Sequence, residues 1–138
     1  MITSQMDDVV EGINDISKIP DKGFPNYDKL RAYLGKPGSG YQWHHIVEQS
    51  QIDKAGFTSE QVNNLRNIVK IPGGYKGSIH SEISKIYSSK QIYSEGLTVR
   101  NWLSKKSFEE QFEFGLEMLK EYGTLIATEN GWIFTPFK

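Results

Sequence analysis

The sequence predicts one α+β domain. Three observations carry that expectation. A chain of 138 residues has the length of a single ordinary domain. Apolar residues recur at helical spacing in several stretches, most clearly Phe108, Phe112, Gly115, Leu116 and Leu119. Elsewhere they alternate, or run briefly between turn formers, around residues 41–47, 67–71 and 125–134.

Taken in order, Met6, Val9, Val10, Ile13 and Ile16 are spaced for a short amphipathic helix that Pro20 ends. Residues 20–40 are rich in Pro and Gly and read as a tether, with Tyr27, Leu30, Tyr33 and Leu34 able to form one or two helical turns. Tyr41 to Val47 predicts a short strand. Residues 58–66 predict a helix with Thr58 or Ser59 as N-cap. Asn67 to Ile71 predicts a strand closed by Pro72-Gly-Gly74, and a helix follows over 79–88. Two further helices are expected over 97–104 and 107–122, the second capped by Gly123. Leu125–Thr128 and Trp132–Phe134 predict a closing hairpin around an Asn-Gly turn. The chain thus divides into an N-terminal helix and linker (1–40), a central core (41–90), and C-terminal helices and hairpin (91–138) that pack on that core.

Composition removes several classes of function. Hydrophobic residues at 37% and aromatics at 12% are too many for a wholly disordered chain. No apolar run approaches eighteen residues, so no membrane span is expected. The first twenty residues carry Asp7, Asp8, Glu11 and Asp15 and lack an apolar run, so no signal peptide is expected in this chain. The absence of cysteine excludes disulfides, thiolate metal sites and thiol nucleophiles. The net charge of −1 conceals an asymmetry: residues 36–106 carry +5, residues 1–35 carry −2 and residues 107–138 carry −4. All three histidines lie in the basic centre. That pattern suits a polyanion site, and chance clustering of solvated charges accounts for it equally well.

The chemistry concentrates in Trp43-His44-His45-Ile46-Val47-Glu48-Gln49. Adjacent strand residues point to opposite faces, so a bare His-His pair is more simply read as one buried and one exposed ring. At a strand end, twist can bring both into one cleft, where one imidazole binds metal and the other takes a proton from water. Asn67 opens the next strand and can fix the His45 ring. It is preferred to Asn63 and Asn64 because an apolar strand follows at once. His80 sits in the first turn of the next helix. A phosphodiester gains charge on the way to its transition state, and a divalent cation beside a histidine base meets that need.

Strand with His-His, Asn before an apolar strand, then helix with His is the order found in ββα-metal nucleases. Trp43-His-His-Ile-Val-Glu-Gln49, Asn64-Leu-Arg-Asn67-Ile-Val and Ile79-His80-Ser-Glu-Ile-Ser84, running on to Lys90, resemble the HNH/endonuclease VII superfamily. Within it, the chain looks like the Trp-His-His type found as C-terminal toxin domains of bacterial polymorphic toxins, including LXG-type and contact-dependent inhibition proteins. The resemblance covers about residues 41–90. It implies a ββα-metal (His-Me finger) core and a metal-dependent endonuclease, DNA favoured. The enzyme would be delivered as part of a larger toxin to act in the target-cell cytoplasm. A cognate immunity protein would neutralise it, as a monomer or toxin–immunity heterodimer. By position, His45 would be the general base, His44 and His80 metal ligands, and Asn67 the middle Asn. Several relatives carry another His where this chain has Ser84. Water, Asn67 or Glu48 would then complete the coordination, which favours Mg2+ over Mn2+, Ni2+ or Zn2+.

Other residues have two readings each. Glu48 orients a histidine, binds metal or forms a solvated salt bridge. Tyr87 touches phosphate or belongs to the core, and Trp43 anchors the core. Lys70, Lys76, Lys85, Lys90, Ser88 and Ser89 are candidate phosphate contacts, against the simpler reading of solvated side chains. Glu109, Glu110, Glu113, Glu117 and Glu121 would repel DNA from the back of the domain. Gly73 to Gly77 lacks the Gly-Lys-Ser/Thr ending of a phosphate-binding P-loop. Two alternatives stand beside the nuclease: a metal-independent RNase using histidines as acid and base, and a non-catalytic nucleic-acid-binding module.

Overall fold

A computed structural model describes residues 15–138, and these form an α+β domain. The expected helix over 1–20 lies largely outside the described residues; its last part, Ile16–Lys18, is a 3-10 turn capped by the Asp15 side chain.

Helix α1 spans Tyr27–Leu34, and the Asn26 side chain caps it by accepting from Lys29 N–H. Strand β1 spans Tyr41–His45. Two short helices follow, α2 (Gln51–Ala55) and α3 (Ser59–Val62). Thr58 and Gln61 make the capping box of α3, as its sequence suggests. The helix is shorter than expected because Asn63 departs from helical geometry and Asn64 caps a separate 3-10 turn, Leu65–Asn67. Strand β2 (Ile68–Pro72) leads through a glycine-rich turn to α4 (Ile79–Tyr87), whose N-cap is Ser78. Then come α5 (Val99–Leu103), α6 (Phe108–Lys120), β3 (Gly123–Thr128) and β4 (Gly131–Pro136). Gly123 is not the cap of α6, whose C-cap is Glu121; it opens β3, where a side chain would collide with the Thr135 carbonyl.

There are two antiparallel two-stranded sheets, β1–β2 and β3–β4. In the first, His44 lies opposite Val69 and His45 opposite Ile68. The second is the expected hairpin, with Thr128 paired to Gly131 across Glu129-Asn130, so the turn falls one residue before the Asn-Gly pair. The Thr128 hydroxyl ties that turn, accepting from Asn130 N–H and donating to the Gly131 carbonyl. Strand β4 packs on β2 and α6 on β3. The Trp132 indole donates to the Arg66 carbonyl and joins β4 to the 3-10 turn before β2.

The core collects Leu30, Ile46, Ile68, Val69, Ile71, Ile83, Tyr87, Val99, Leu119 and Leu125. Tyr87 is therefore a core residue. Residues 20–40 do not behave as a free tether: Leu30 is fully buried, and the Trp43 indole donates to the Gly35 carbonyl, pinning the end of α1 to β1. The buried face of α6 runs through Gln111, Gly115 and Leu119, with Phe112 and Leu116 on its flanks. Its glutamates at 109, 110, 113, 117 and 121 are exposed.

Gly115 is where α6 crosses the end of β1. A Cβ there would lie 2.5 Å from the Ile46 carbonyl oxygen and 2.7 Å from its Cγ2. Gly115→Ala is therefore expected to lower stability by about 1–3 kcal/mol, an overpacking cost that exceeds any gain in helix propensity. Urea denaturation of the variant measures this; an unchanged or raised midpoint contradicts so close an approach.

Candidate functional site

Strand β1 ends at its two histidines, and the chain then turns into a loop. One buried side chain shapes that turn. The Asn67 carboxamide accepts from Val47 N–H (2.8 Å) and donates to the carbonyls of Val47 (3.0 Å) and Val62 (2.8 Å). Its own backbone carbonyl accepts from Ile46 N–H. The loop is thereby folded back on β2, and both histidines, 6% and 8% exposed, line a single cleft. The expected contact from Asn67 to the His45 ring does not form. Asn63 makes it instead, with Oδ1 2.9 Å from His45 Nε2. Asn67 acts on the backbone, and it does not line the cleft.

The cleft has a volume of about 720 Å3, in the ordinary range for ligand sites. Four segments build it: β1 with its following loop, the N-terminal half of α4, α1 and α5. Helix α4 brings His80, whose ring meets His44 edge-on with centroids 5.4 Å apart. One turn on, Ser84 also lines the cleft. Helix α1 brings Tyr27, in edge contact with His45 at 5.0 Å, and Arg31, stacked over Tyr27 at 5.3 Å. Helix α5 brings Arg100.

Arg100 settles the role of Glu48. Its Nε and Nη2 donate to the two Glu48 carboxylate oxygens, each at 2.7 Å, and its Nη1 donates to Ser88 Oγ at 3.0 Å. This is a bidentate pair, partly shielded from water. Glu48 is thus neither a free metal ligand nor a partner of a histidine ring. Ser88 is drawn to the same guanidinium. The four candidate lysines are elsewhere: Lys70 lies over the Tyr41 ring, Lys85 pairs with Glu82, and Lys76 and Lys90 are exposed. None of them lines the cleft, whose cations are Arg31 and Arg100.

Burial controls the protonation of the histidines. It pushes His44 down to about 3, helped by repulsion from His80 and His45. Burial likewise lowers His45 to about 4, against the opposing pull of its Asn63 hydrogen bond. His80 is lowered by the same desolvation, and the Glu48 charge works against it. At neutral pH all three rings are uncharged, so each keeps a lone pair for a cation or a proton.

The fit to a divalent cation rests on His44 and His80. Two imidazoles sharing one ion, with bonds of about 2.1 Å, place their ring centres roughly 4.5–5.5 Å apart. The observed separation agrees. Neither ring makes a side-chain hydrogen bond among the described residues. No third His, Asp or Glu joins them among the described residues, so the protein's donor set there is two nitrogens.

Sequence reasoning placed the three histidines in one site. It preferred Asn67 to Asn63 as the partner of His45, where the structure has Asn63, and it missed Tyr27, Arg31 and Arg100, which come from outside the 41–90 core. Among the described residues no helix is long and apolar enough to cross a membrane.

The buried rings make stability depend on pH. In EDTA-containing buffer the unfolded chain takes up protons near the ordinary imidazole value, about 6.5, while the folded rings refuse them. Stability is therefore full above about pH 6.5 and falls as the pH drops toward 4. Each of His44 and His45 contributes about 2 kcal/mol to the loss between pH 7 and 4.5. Urea unfolding across that range should show the fall, with about half of it missing in His45→Gln. A flat profile would mean that the rings are hydrated.

Compared with known proteins, the chain matches no family model, no curated protein and no solved structure.

Proposed function

We propose that the protein is a metal-dependent endonuclease that hydrolyses phosphodiester bonds in nucleic acid, DNA favoured. The observation that carries the reading is the convergence of all three histidines, kept neutral, on one cleft that also presents two arginines. The antiparallel pair β1–β2 followed by α4 supports a ββα-metal arrangement of that site.

The chain's residues divide the work. His45, neutral and cleft-lining, takes a proton from the attacking water. Arg31, which also pairs with Asp28, and Arg100, which also pairs with Glu48, are the cleft's cations and orient the phosphate backbone. Ser84 offers a hydroxyl to a bound water or a phosphate oxygen. Tyr27 and Asn63 hold the His45 ring. His44 and His80 would hold the cation, which when bound supplies charge against the negative charge that builds on the phosphate oxygens.

Glu48 and Asn67 are both engaged elsewhere, so the expectation of Mg2+ loses the oxygen donors it leaned on. Imidazole nitrogen binds Ni2+ and Zn2+ more strongly than Mg2+. The proposed cation is therefore Ni2+ or Zn2+ ahead of Mg2+ or Mn2+. The metal-independent RNase reading needs one imidazolium as general acid at neutral pH. Burial works against that charge in all three rings. Action as a delivered toxin, and neutralisation by an immunity protein, belong to the proposal through the sequence resemblance alone.

Purified protein incubated with plasmid DNA and with total RNA, in Mg2+, Mn2+, Ni2+ or Zn2+ and in EDTA, tests the reading. DNA is expected to be cut in a divalent cation and not in EDTA, and His45→Ala should lose about 100-fold or more of the rate, the scale of a positioned general base. Cleavage of RNA that survives EDTA would replace this reading with the RNase. No cleavage of either substrate in any of the four cations would replace it with the binding module.

A further inference from the structure

We infer that Asn63 and Ser59 are positioning residues that fix the tautomer of His45, with the proton on Nε2 and the lone pair on Nδ1. The inference rests on the nuclease reading for its catalytic consequence, and on hydrogen-bond chemistry alone for the tautomer.

One group in this chain of hydrogen bonds cannot be turned around. The backbone carbonyl of Phe24 is only an acceptor, and it takes the Ser59 hydroxyl at 3.2 Å. A hydroxyl has one proton. With it committed to Phe24, Ser59 Oγ can only accept from its other neighbour, the Asn63 carboxamide at 2.9 Å. The Asn63 end facing Ser59 is therefore the NH2, and the end facing His45 is Oδ1, itself only an acceptor. A neutral imidazole beside that oxygen must carry its proton on Nε2. Nδ1 then keeps the lone pair, and it makes no hydrogen bond among the described residues. Each link forces the next, so a carbonyl in the chain before α1 determines which nitrogen of a cleft histidine is basic.

The surroundings hold the chain in place. Phe24 N–H donates to the Asn63 carbonyl at 2.8 Å, which docks the segment before α1 against the residue it directs. Asn63 is 2% exposed, so water does not compete for its carboxamide. Tyr27, three residues beyond Phe24, packs its ring edgewise on His45 and resists a flip of the imidazole. A histidine base with the wrong nitrogen protonated keeps its position and loses its function, because the nitrogen facing water has no lone pair.

The test reads the tautomer directly. In the full chain labelled with 15N, long-range proton–nitrogen correlation distinguishes a protonated from a bare ring nitrogen at neutral pH in EDTA. The expected result is a protonated Nε2 and a bare Nδ1 for His45. Asn63→Ala and Ser59→Ala should populate the opposite form. Asn63→Asp, which keeps an oxygen toward Nε2, should retain the native one. Under cleavage conditions Asn63→Ala should lose about 10–100-fold in kcat, the range for groups that orient an active-site histidine, and Asn63→Asp should recover most of it. A bare Nε2 in the unaltered protein, or an unchanged tautomer in a folded Asn63→Ala, overturns the inference. If the tautomer responds as stated while the unaltered protein cuts no nucleic acid, the inference stands and the nuclease reading falls.

Discussion

The Asn67 carboxamide bonds to three backbone groups at once, two on Val47 and one on Val62, while its backbone carbonyl takes Ile46 N–H. These bonds close the loop after β1 onto the start of β2, in an apolar setting where an unpaired polar group would cost about 1–3 kcal/mol. The rest of the site depends on this fixture. It sets the direction in which the chain leaves His45, and so allows two adjacent residues of one strand to face the same cleft. Helix α6 presses on the same place, with Gly115 against the Ile46 carbonyl. Both contacts reach the chain just after the histidine pair from later in the sequence.

Electrostatics follow from that geometry. Three imidazoles brought together out of water would repel one another if charged, and burial keeps them neutral instead. Neutral rings are good ligands and competent bases. The one carboxylate at the cleft, Glu48, is neutralised by Arg100, so the wall that would meet a phosphate is not negative. Of the basic residues of the +5 centre only Arg100 lines the cleft; the other cleft cation, Arg31, comes from the acidic N-terminal segment, and the four candidate lysines stand away from it.

Much of this was legible in the sequence, and the parts that were not share a physical cause. The β1, β2 and α4 elements announce themselves by local pattern: alternation before His45, an apolar run after Asn67, and helical spacing from Ile79 to Tyr87. Their histidines could be read with them. Arg100 could not, because its partner Glu48 is 52 residues away and nothing local distinguishes it from the other basic residues of the centre. Tyr27 and Arg31 were hidden in a stretch whose prolines and glycines read as a tether; long-range packing of Leu30 and Trp43 turns it into a wall. The three asparagines at 63, 64 and 67 illustrate the limit best. An apolar strand after Asn67 rightly marks it as special, yet the bond to the His45 ring belongs to Asn63, and only the 3-10 turn between them decides which one points where.

The central claim is that His44 and His80 form the seat of a divalent cation. Calorimetric titration of the metal-free protein with Ni2+ addresses it directly, since no substrate or activity is needed. The account requires one equivalent bound by the unaltered protein and the loss of that binding in both His44→Ala and His80→Ala. Saturable binding that persists in the two variants, or no binding to the unaltered protein, would contradict it.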